Sequence, residues 1–244
     1  MSNRPTESEA EQKPRPWYVE LMMIVIAVVL IIFVVHTFIG RIYLIPSGSM
    51  EPTLHGCEGC TGDRIATEKI TYAFTDPEPG DVVVFAGTGS WNADYDSSRS
   101  GNAVVHALQD FGALLGLIPP DENNLVKRII ATGGQTVSCQ PGDPGIMVDG
   151  EKVDDSYTLQ PPQNEVAGIN ASDECGGPHF GPVTVPEDHY FMMGDNRTDS
   201  ADSRYHLGDE HQGTIPEKNI RGKAQAVIFP FTHLSGIEDP GIQL

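Results

Sequence analysis

The stretch Leu21–Ile39, LMMIVIAVVLIIFVVHTFI, decides the architecture of the chain. It carries no Asp, Glu, Lys or Arg, and its length suits a helix that crosses the hydrocarbon core of a bilayer. A cleavable secretory signal would have a shorter apolar core that ends in small residues, whereas this stretch ends in bulky ones. We therefore expect residues 17–40 to form an uncleaved transmembrane anchor.

The basic residues around this anchor predict its orientation. Three of them precede it, and only Arg41 follows it closely. Positively charged flanks remain in the cytoplasm, and acidic residues count little in this rule. The sequence thus predicts a single-pass protein of the plasma membrane. Residues 1–16 would be a disordered cytoplasmic tail, and residues 41–244 an extracytoplasmic domain.

Composition favours a mainly β domain after the anchor. The 244-residue chain has 26 glycines and 19 prolines, with few aromatic residues and short runs of valine and isoleucine. The roughly 200 residues beyond the anchor are enough for a good core. The net charge is −19, without a lysine- or arginine-rich cluster, which argues against nucleic-acid binding. The acidic excess instead suits the solubility of an exported surface.

Several short segments have the pattern of antiparallel strands. One further segment, Ile146–Val153, is typical of a hairpin, because Asp149-Gly150 supplies the positive φ angles of a tight turn. The strand candidates are Val82–Phe85, Val126–Ala131, His189–Met193 and Ala224–Phe229.

Two stretches interrupt these strands and are interpreted as insertions, at about 87–125 and 138–185. The second would form a smaller inserted subdomain. The first has apolar residues at helical spacing: Val104, Leu108, Phe111 and Leu115. Our first interpretation is a short amphipathic helix packed on its own domain, and the alternative is a helix lying against the outer membrane leaflet.

Directly after the anchor comes Ile45–Leu54, IPSGSMEPTL. Proline and glycine bracket its serines, so the backbone is expected to bend and to push Ser49 outward. A free serine hydroxyl is a poor nucleophile, and some neighbouring group must accept its proton.

Lys127 is the candidate for that group, because it lies in the apolar run Leu125–Ile130. Burial disfavours an ammonium, so its pKa could fall from about 10.4 toward roughly 7–8 and suit a general base. Lys223, just before the last strand, is the nearest rival. Taken singly, a serine turn and a strand lysine are more often structural, since such matches have many false positives.

Three segments taken together resemble the motifs of bacterial type I signal peptidases, in the family's order. They are IPSGSMEPTL, KRIIA at Lys127–Ala131 and GDNRTDSADSR at Gly194–Arg204. The following CEGC segment resembles actinobacterial members. The resemblance implies a membrane-bound serine endopeptidase that needs neither metal nor cofactor. Ser49 would be its nucleophile and Lys127 its general base, acting through an acyl-enzyme.

The resemblance also implies supporting roles. The Ser47 hydroxyl and the Ser49 N–H would stabilise the oxyanion, and Ser200 would orient the lysine. A charged cluster would brace the loop: Arg197, Asp202 and Arg204. Shallow substrate pockets would be lined by residues near Tyr43, Ile45, Met50, Leu54 and Val126. The implied substrates are exported preproteins with small residues one and three positions before the cut, and the implied partners are the lipid bilayer and the secretion translocase.

The domain contains four cysteines: Cys57, Cys60, Cys139 and Cys175. They allow three pairings in an oxidising compartment. We favour a local bridge within the first pair and a clasp between the other two. A redox role for the CEGC segment lacks a surrounding βαβ pattern. A zinc site with His55 and His179 nearby is a further alternative, although the second cysteine pair lacks close ligand spacing.

Two other functions compete with the peptidase interpretation. One is a catalytically silent, membrane-anchored β-domain that scaffolds secretion partners, for example through residues 87–125. The other is a thiol oxidoreductase that uses Cys57 and Cys60. The joint presence of Ser49, Lys127 and Ser200 in the family's order favours the peptidase.

Overall fold

The computed structural model of the chain describes most of its residues, with a few gaps. Both the predicted tail, apart from Pro16, and the far end of the predicted anchor lie outside the described residues. The described ranges are 16–34, 40–57, 59–93, 95–97, 99–114 and 121–243.

Helix α1, Trp17–Val34, forms the described part of the predicted anchor. Its 18 residues have a mean hydropathy of 2.7, and none of them is buried against the protein. An apolar helix of this length that has no protein around it is a candidate membrane span.

The remaining described chain is mainly β, as the composition predicts. One eight-stranded antiparallel sheet has the order β1-β2-β13-β3-β4-β11-β12, and β14 pairs with β13. Its strands are β1 Ile42–Leu44, β2 Arg64–Glu68, β3 Val82–Ala86, β4 Asn124–Thr132, β11 His189–Met193, β12 Ile215–Pro216, β13 Ile220–Phe229 and β14 Ser235–Gly236.

The chain between β4 and β11 builds two small sheets. One has the order β10-β5-β6-β7, and the other joins β8 to β9. Their strands are β5 Thr136–Cys139, β6 Met147–Val148, β7 Glu151–Lys152, β8 Ala171–Ser172, β9 Gly177–Pro178 and β10 Phe180–Thr184.

The strand candidates of the sequence correspond to β3, β4, β11 and β13. The last of these begins four residues earlier than predicted, because Ile220–Lys223 pairs with β3. The predicted hairpin is formed by β6 and β7, with Asp149 and Gly150 at φ 51° and 87°. Both residues therefore adopt the left-handed conformation of a tight hairpin turn.

Three apolar clusters hold the sheets together. The first packs β4 and β11 against the small sheet of β5, and the third lies between β3, β11 and Trp91. The second surrounds the segment that follows β1, where Met50 and Leu54 are fully buried against Val82, Val84 and Val126. The second cluster thereby fixes the IPSGSMEPTL segment onto the main sheet.

Helix α2, Ala103–Leu114, lies where the helical spacing predicts it, but it does not pack on its own domain as first interpreted. Val104, Leu108 and Phe111 remain 70%, 65% and 58% exposed. Polar contacts fix its neighbourhood instead, for example the hydrogen bond from Arg99 to Asp110 and the cap that Asn102 provides to Val104 N–H. Leu115, the fourth position of the predicted stripe, lies outside the described residues.

All four cysteines are in disulfides, and the pairing is the one favoured from the sequence. Cys57 is bonded to Cys60, and Cys139 is bonded to Cys175. Neither pair is therefore available as thiols for zinc or for redox exchange in this structure. The second bond ties β5 to the loop between β8 and β9. It joins residues 36 positions apart, against 3 for the first bond, so it restricts the unfolded chain more.

Candidate active site

The three motif segments converge because of strand pairing. In the register of β11 against β4, Met193 lies opposite Arg128. The loop that begins at Gly194 therefore starts beside Lys127. The Ser49 turn reaches the same place, since the cluster under Met50 and Leu54 anchors it over β3 and β4.

Ser49 and Lys127, 78 positions apart in the chain, are in direct contact. Lys127 Nζ donates a hydrogen bond to Ser49 Oγ at 2.7 Å. Lys127 is only 5% exposed, and Lys223, its rival in the sequence, instead forms an ion pair with buried Asp81. The pair Ser49–Lys127 is thus a nucleophile with a possible base at hydrogen-bond distance.

Burial shifts the proton affinity of this lysine. Loss of hydration lowers the pKa of Lys127 to about 8, although the carboxylates of Asp202 and Asp195 act in the opposite direction. A substantial fraction of the amine is therefore neutral at mildly alkaline pH. A neutral amine has the lone pair that a base requires.

The two serines with predicted supporting roles lie at the same site. Ser47 Oγ donates to Ser49 Oγ at 3.4 Å. The Ser200 hydroxyl is buried and has no hydrogen-bond partner among the described residues, so the expected bond to Lys127 is not formed here. A Cβ added to Gly194 would lie 2.4 Å from both Ser200 Oγ and the Ser49 carbonyl oxygen. Gly194 therefore allows Ser200 to approach the nucleophile loop.

The charged cluster surrounds this loop. Arg204 forms two 2.8 Å hydrogen bonds with Asp202, and both side chains are fully buried. Asp202 also accepts the Gly194 N–H at 3.1 Å. Arg197 joins a different set of contacts, to the Gly194 carbonyl at 3.1 Å and to Tyr157 Oη at 2.7 Å. Asp202 and Arg197 thus fix the N–H and the carbonyl of Gly194, respectively.

A second buried ion pair, missed in the sequence analysis, involves Arg128, the residue that follows Lys127. Arg128 Nε and Nη2 bond the Asp195 carboxylate at 2.9 and 2.7 Å, and Thr53 Oγ1 donates to the same carboxylate at 2.5 Å. This set joins all three motif segments. A buried arginine needs a buried acidic partner. The sequence signal for this pair was therefore an arginine within an apolar run, together with Asp195 in the third motif.

Asn196 was also missed. Its backbone N–H donates to the Ser49 carbonyl at 3.2 Å, and its side-chain amide donates to the Gly48 carbonyl at 3.1 Å and to Gln163 at 2.6 Å. Two consecutive carbonyls of the nucleophile turn are thus held by one residue.

The five predicted pocket residues share one apolar cluster. Ile45, Met50 and Leu54 are buried, whereas Tyr43 and Val126 are partly exposed at its edge. In this conformation only the latter two offer surface to a ligand, and the others lie beneath them.

A mainly β domain that follows an apolar helix and pairs a serine hydroxyl with a buried lysine has the features of a membrane-associated serine hydrolase. Comparisons with known proteins narrow this class to one family. The sequence model described as signal peptidase, peptidase S26, matches residues 18–229. The chain therefore belongs to the signal peptidase family, peptidase S26.

Relatives within this family are similar over most of the chain. A probable signal peptidase I of Mycobacterium leprae is 46% identical over 242 residues, with 94% of this chain and 82% of the relative covered. The signal peptidase I of Mycobacterium tuberculosis H37Rv is 47% identical over 216 residues, with 86% and 72% covered. A crystal structure of a signal peptidase I from Enterococcus faecalis V583 covers 61% of this chain and 97% of its own at 19% identity, with a TM-score of 0.36.

These similarities give the chain the function of a type I signal peptidase, a membrane-associated serine peptidase that processes signal peptides. The predicted family and the mainly β fold are confirmed. The scaffold alternative is not favoured.

Proposed function

We propose that Ser49 is the nucleophile of this peptidase and that Lys127 is its general base. The 2.7 Å contact between Lys127 Nζ and Ser49 Oγ carries the proposal. When Lys127 is neutral, the Ser49 hydroxyl donates to its lone pair. As Ser49 Oγ bonds to the scissile carbonyl carbon, the hydroxyl proton passes to Nζ.

The same proton then completes the first half of the reaction. The tetrahedral intermediate collapses, the C–N bond breaks, and Lys127 returns the proton to the leaving amine. The signal peptide remains as an ester on Ser49. Lys127, neutral again, takes a proton from water as the water oxygen attacks the ester carbonyl carbon. The C–O bond to Ser49 then breaks, Lys127 returns the proton to Ser49 Oγ, and the carboxylic acid is released.

The developing oxyanion needs hydrogen-bond donors. We assign this role to the Ser49 N–H and the Ser47 hydroxyl, which is close enough to Ser49 Oγ to turn toward a bound carbonyl. Loss of one such donor typically costs about 3–4 kcal/mol of transition-state stabilisation. Ser200 would orient Lys127 once the amine turns toward it, which would also satisfy its buried hydroxyl.

Substrate specificity is proposed to follow from the apolar cluster beneath the dyad. Tyr43 and Val126 would receive small side chains one and three positions before the cut, over a floor formed by Met50 and Leu54. A floor of fully buried residues leaves only shallow pockets, which suits alanine. An extended substrate would add to the sheet next to β1, the terminal strand of its order.

The arrangement in the membrane is part of the proposal. We infer one span, with residues 1–16 in the cytoplasm and the peptidase domain outside, from the basic residues that precede α1. From Ile39 to Ser49 the fully extended chain reaches at most roughly 35 Å. Ser49 would thus work near the bilayer surface, where a preprotein emerges from the translocase.

A cleavage assay with purified full-length protein in lipid tests the dyad. The substrate is a preprotein with an Ala-X-Ala signal, and mass spectrometry locates the cut. Ser49→Ala and Lys127→Ala should each abolish cleavage after the last alanine, with unchanged circular dichroism. Lys223→Ala is the matched control and should retain cleavage, because Lys223 pairs with Asp81 away from Ser49. Full activity of either dyad variant would refute the assignment.

A further inference from the structure

Apart from the dyad, two histidines and an aspartate form a cluster that the proposed reaction does not use. His55 follows the nucleophile motif, Asp63 precedes β2, and His233 ends the short 3-10 turn Phe231–His233 after β13. Their ligand atoms all lie within 4.8 Å of one another. The cluster differs from the zinc site considered from sequence, since His179 is not part of it.

The distances suit a small divalent cation. His233 Nδ1 lies 3.2 Å from one oxygen of Asp63, and His55 Nδ1 lies 3.6 Å from the other. In a tetrahedral zinc site with bonds of about 2.0–2.1 Å, neighbouring ligand atoms are about 3.3–3.5 Å apart. Two imidazoles and one carboxylate are a donor set that zinc accepts.

The charge at the cluster also favours a cation. The Asp63 side chain is only 2% exposed, yet no lysine or arginine within the described ranges forms an ion pair with it. Its oxygens contact the two imidazoles and the His55 N–H, at 2.8 Å for the latter. A buried carboxylate without a fixed positive partner is costly, and a bound cation would offset that cost.

The cluster is open to solvent, and the backbone of its aspartate is fixed by hydrogen bonds. The histidine side chains are about half exposed, so a cation can enter from solvent and keep a water as its fourth ligand. The backbone of Asp63 is held on both sides: its N–H donates to the His55 carbonyl, and its carbonyl accepts from Ile45 N–H. The site is therefore formed before any ion binds.

We propose that His55, Asp63 and His233 bind one Zn²⁺-type divalent cation, which fixes the loop from Leu54 to Asp63 onto the turn after β13. The loop touches the nucleophile turn at Gly56, where an added Cβ would lie 2.7 Å from Ser47 backbone atoms. The cation would thus stabilise the wall of the active site without taking part in the reaction.

The test is zinc binding to the full-length chain, purified without a histidine tag, stripped of metal and kept in a non-chelating detergent. Calorimetric titration with Zn²⁺ alone should give one equivalent per chain. His55→Ala and His233→Ala should each weaken binding by more than about tenfold. Both residues are half exposed, so these variants should fold. Zn²⁺ should raise the melting temperature of the native chain but not of the variants.

The matched control is His106→Ala on α2, since His106 also lies beside a carboxylate, at 3.3 Å from Asp110, but has no second histidine there in the described part of the chain. Its affinity for Zn²⁺ should be unchanged. Absence of stoichiometric binding would overturn the proposal. So would binding that persists in both cluster variants, or that His106→Ala weakens as much. These readouts do not depend on peptidase activity.

Discussion

At the scale of single residues, the burial of Lys127 makes a prediction about pH. A base with a pKa of about 8 is only about one-tenth neutral at pH 7 and about one-hundredth neutral at pH 6. We therefore expect kcat/KM on a peptide without titrating groups to rise about tenfold per pH unit up to pH 8 and to level off above it. Steady-state kinetics between pH 6 and 10 measure this profile.

The control for that profile is the stability of the enzyme itself, followed by circular dichroism at each pH. A kcat/KM that is flat from pH 6 to 9 would contradict a lysine base with this lowered pKa. So would a kcat/KM that still rises tenfold per pH unit up to pH 10, as expected for an ordinary lysine pKa of about 10.4. The sign is fixed by chemistry, because the protonated amine cannot accept the serine proton.

Sequence alone indicated the proposed dyad and its serine and charged neighbours, but it missed two further sets of contacts at the site. Ser49 and Lys127 carry chemical signals, a bent serine turn and a lysine in an apolar run. The buried pair of Arg128 and Asp195 and the clamp of Asn196 depend on the register of β11 against β4. That register is a long-range property, which no local pattern determines.

Asp195→Asn tests how much the buried pair stabilises the fold. The substitution leaves the Arg128 guanidinium uncompensated at a site where both side chains are at most 2% exposed. Breaking such a pair by removing one charge should destabilise the protein by about 3–5 kcal/mol. Urea unfolding followed by fluorescence measures the change.

Asp155→Asn provides the comparison, since Asp155 pairs with Lys152 at the surface, with side chains 36% and 43% exposed. Its loss should cost less than about 1 kcal/mol. Equal effects of the two substitutions would mean that the buried pair contributes no more than a surface pair. The site would then owe its position to the apolar cluster alone.

At the scale of elements, periodicity predicted strands, a hairpin and helix α2 correctly because each has a local signal. It was wrong about what α2 contacts. A stripe at positions 104, 108 and 111 shows only that one face is apolar, and in the structure that face stays exposed. Which surface a helix covers depends on the rest of the fold.

The exposure of α2 gives a prediction about stability. Replacing Leu108 and Phe111 together by Gln should change the free energy of unfolding by no more than about 1 kcal/mol, because both side chains are more than half exposed. Phe85→Ala in β3, where the ring is fully buried, should cost about 3–5 kcal/mol. Denaturant unfolding compares them. A loss of several kcal/mol in the α2 variant would restore the packed-helix interpretation.

At the scale of the whole molecule, two features act together: an apolar helix at one end and an acidic domain beyond it. The net charge of −19 gives no attraction to an anionic membrane surface, so the domain depends on α1 to stay near its substrates. With α1 in the membrane as proposed, the length of chain between the span and β1 would limit how far Ser49 can lie from the bilayer. In the proposed topology, the anchor would therefore help to place Ser49 beside its substrates.

The orientation of α1 is the prediction at this scale. In intact spheroplasts, protease added outside should degrade the peptidase domain, while an epitope placed before Pro16 stays protected. Neutralising the three basic residues that precede α1 should reduce the correctly oriented fraction, because the charge difference across the helix then favours Arg41. Neutralising Arg41 instead should leave the orientation unchanged. Protection of the domain and digestion of the epitope in the unaltered chain would reverse the proposed topology, and would place Ser49 on the side from which signal peptides depart.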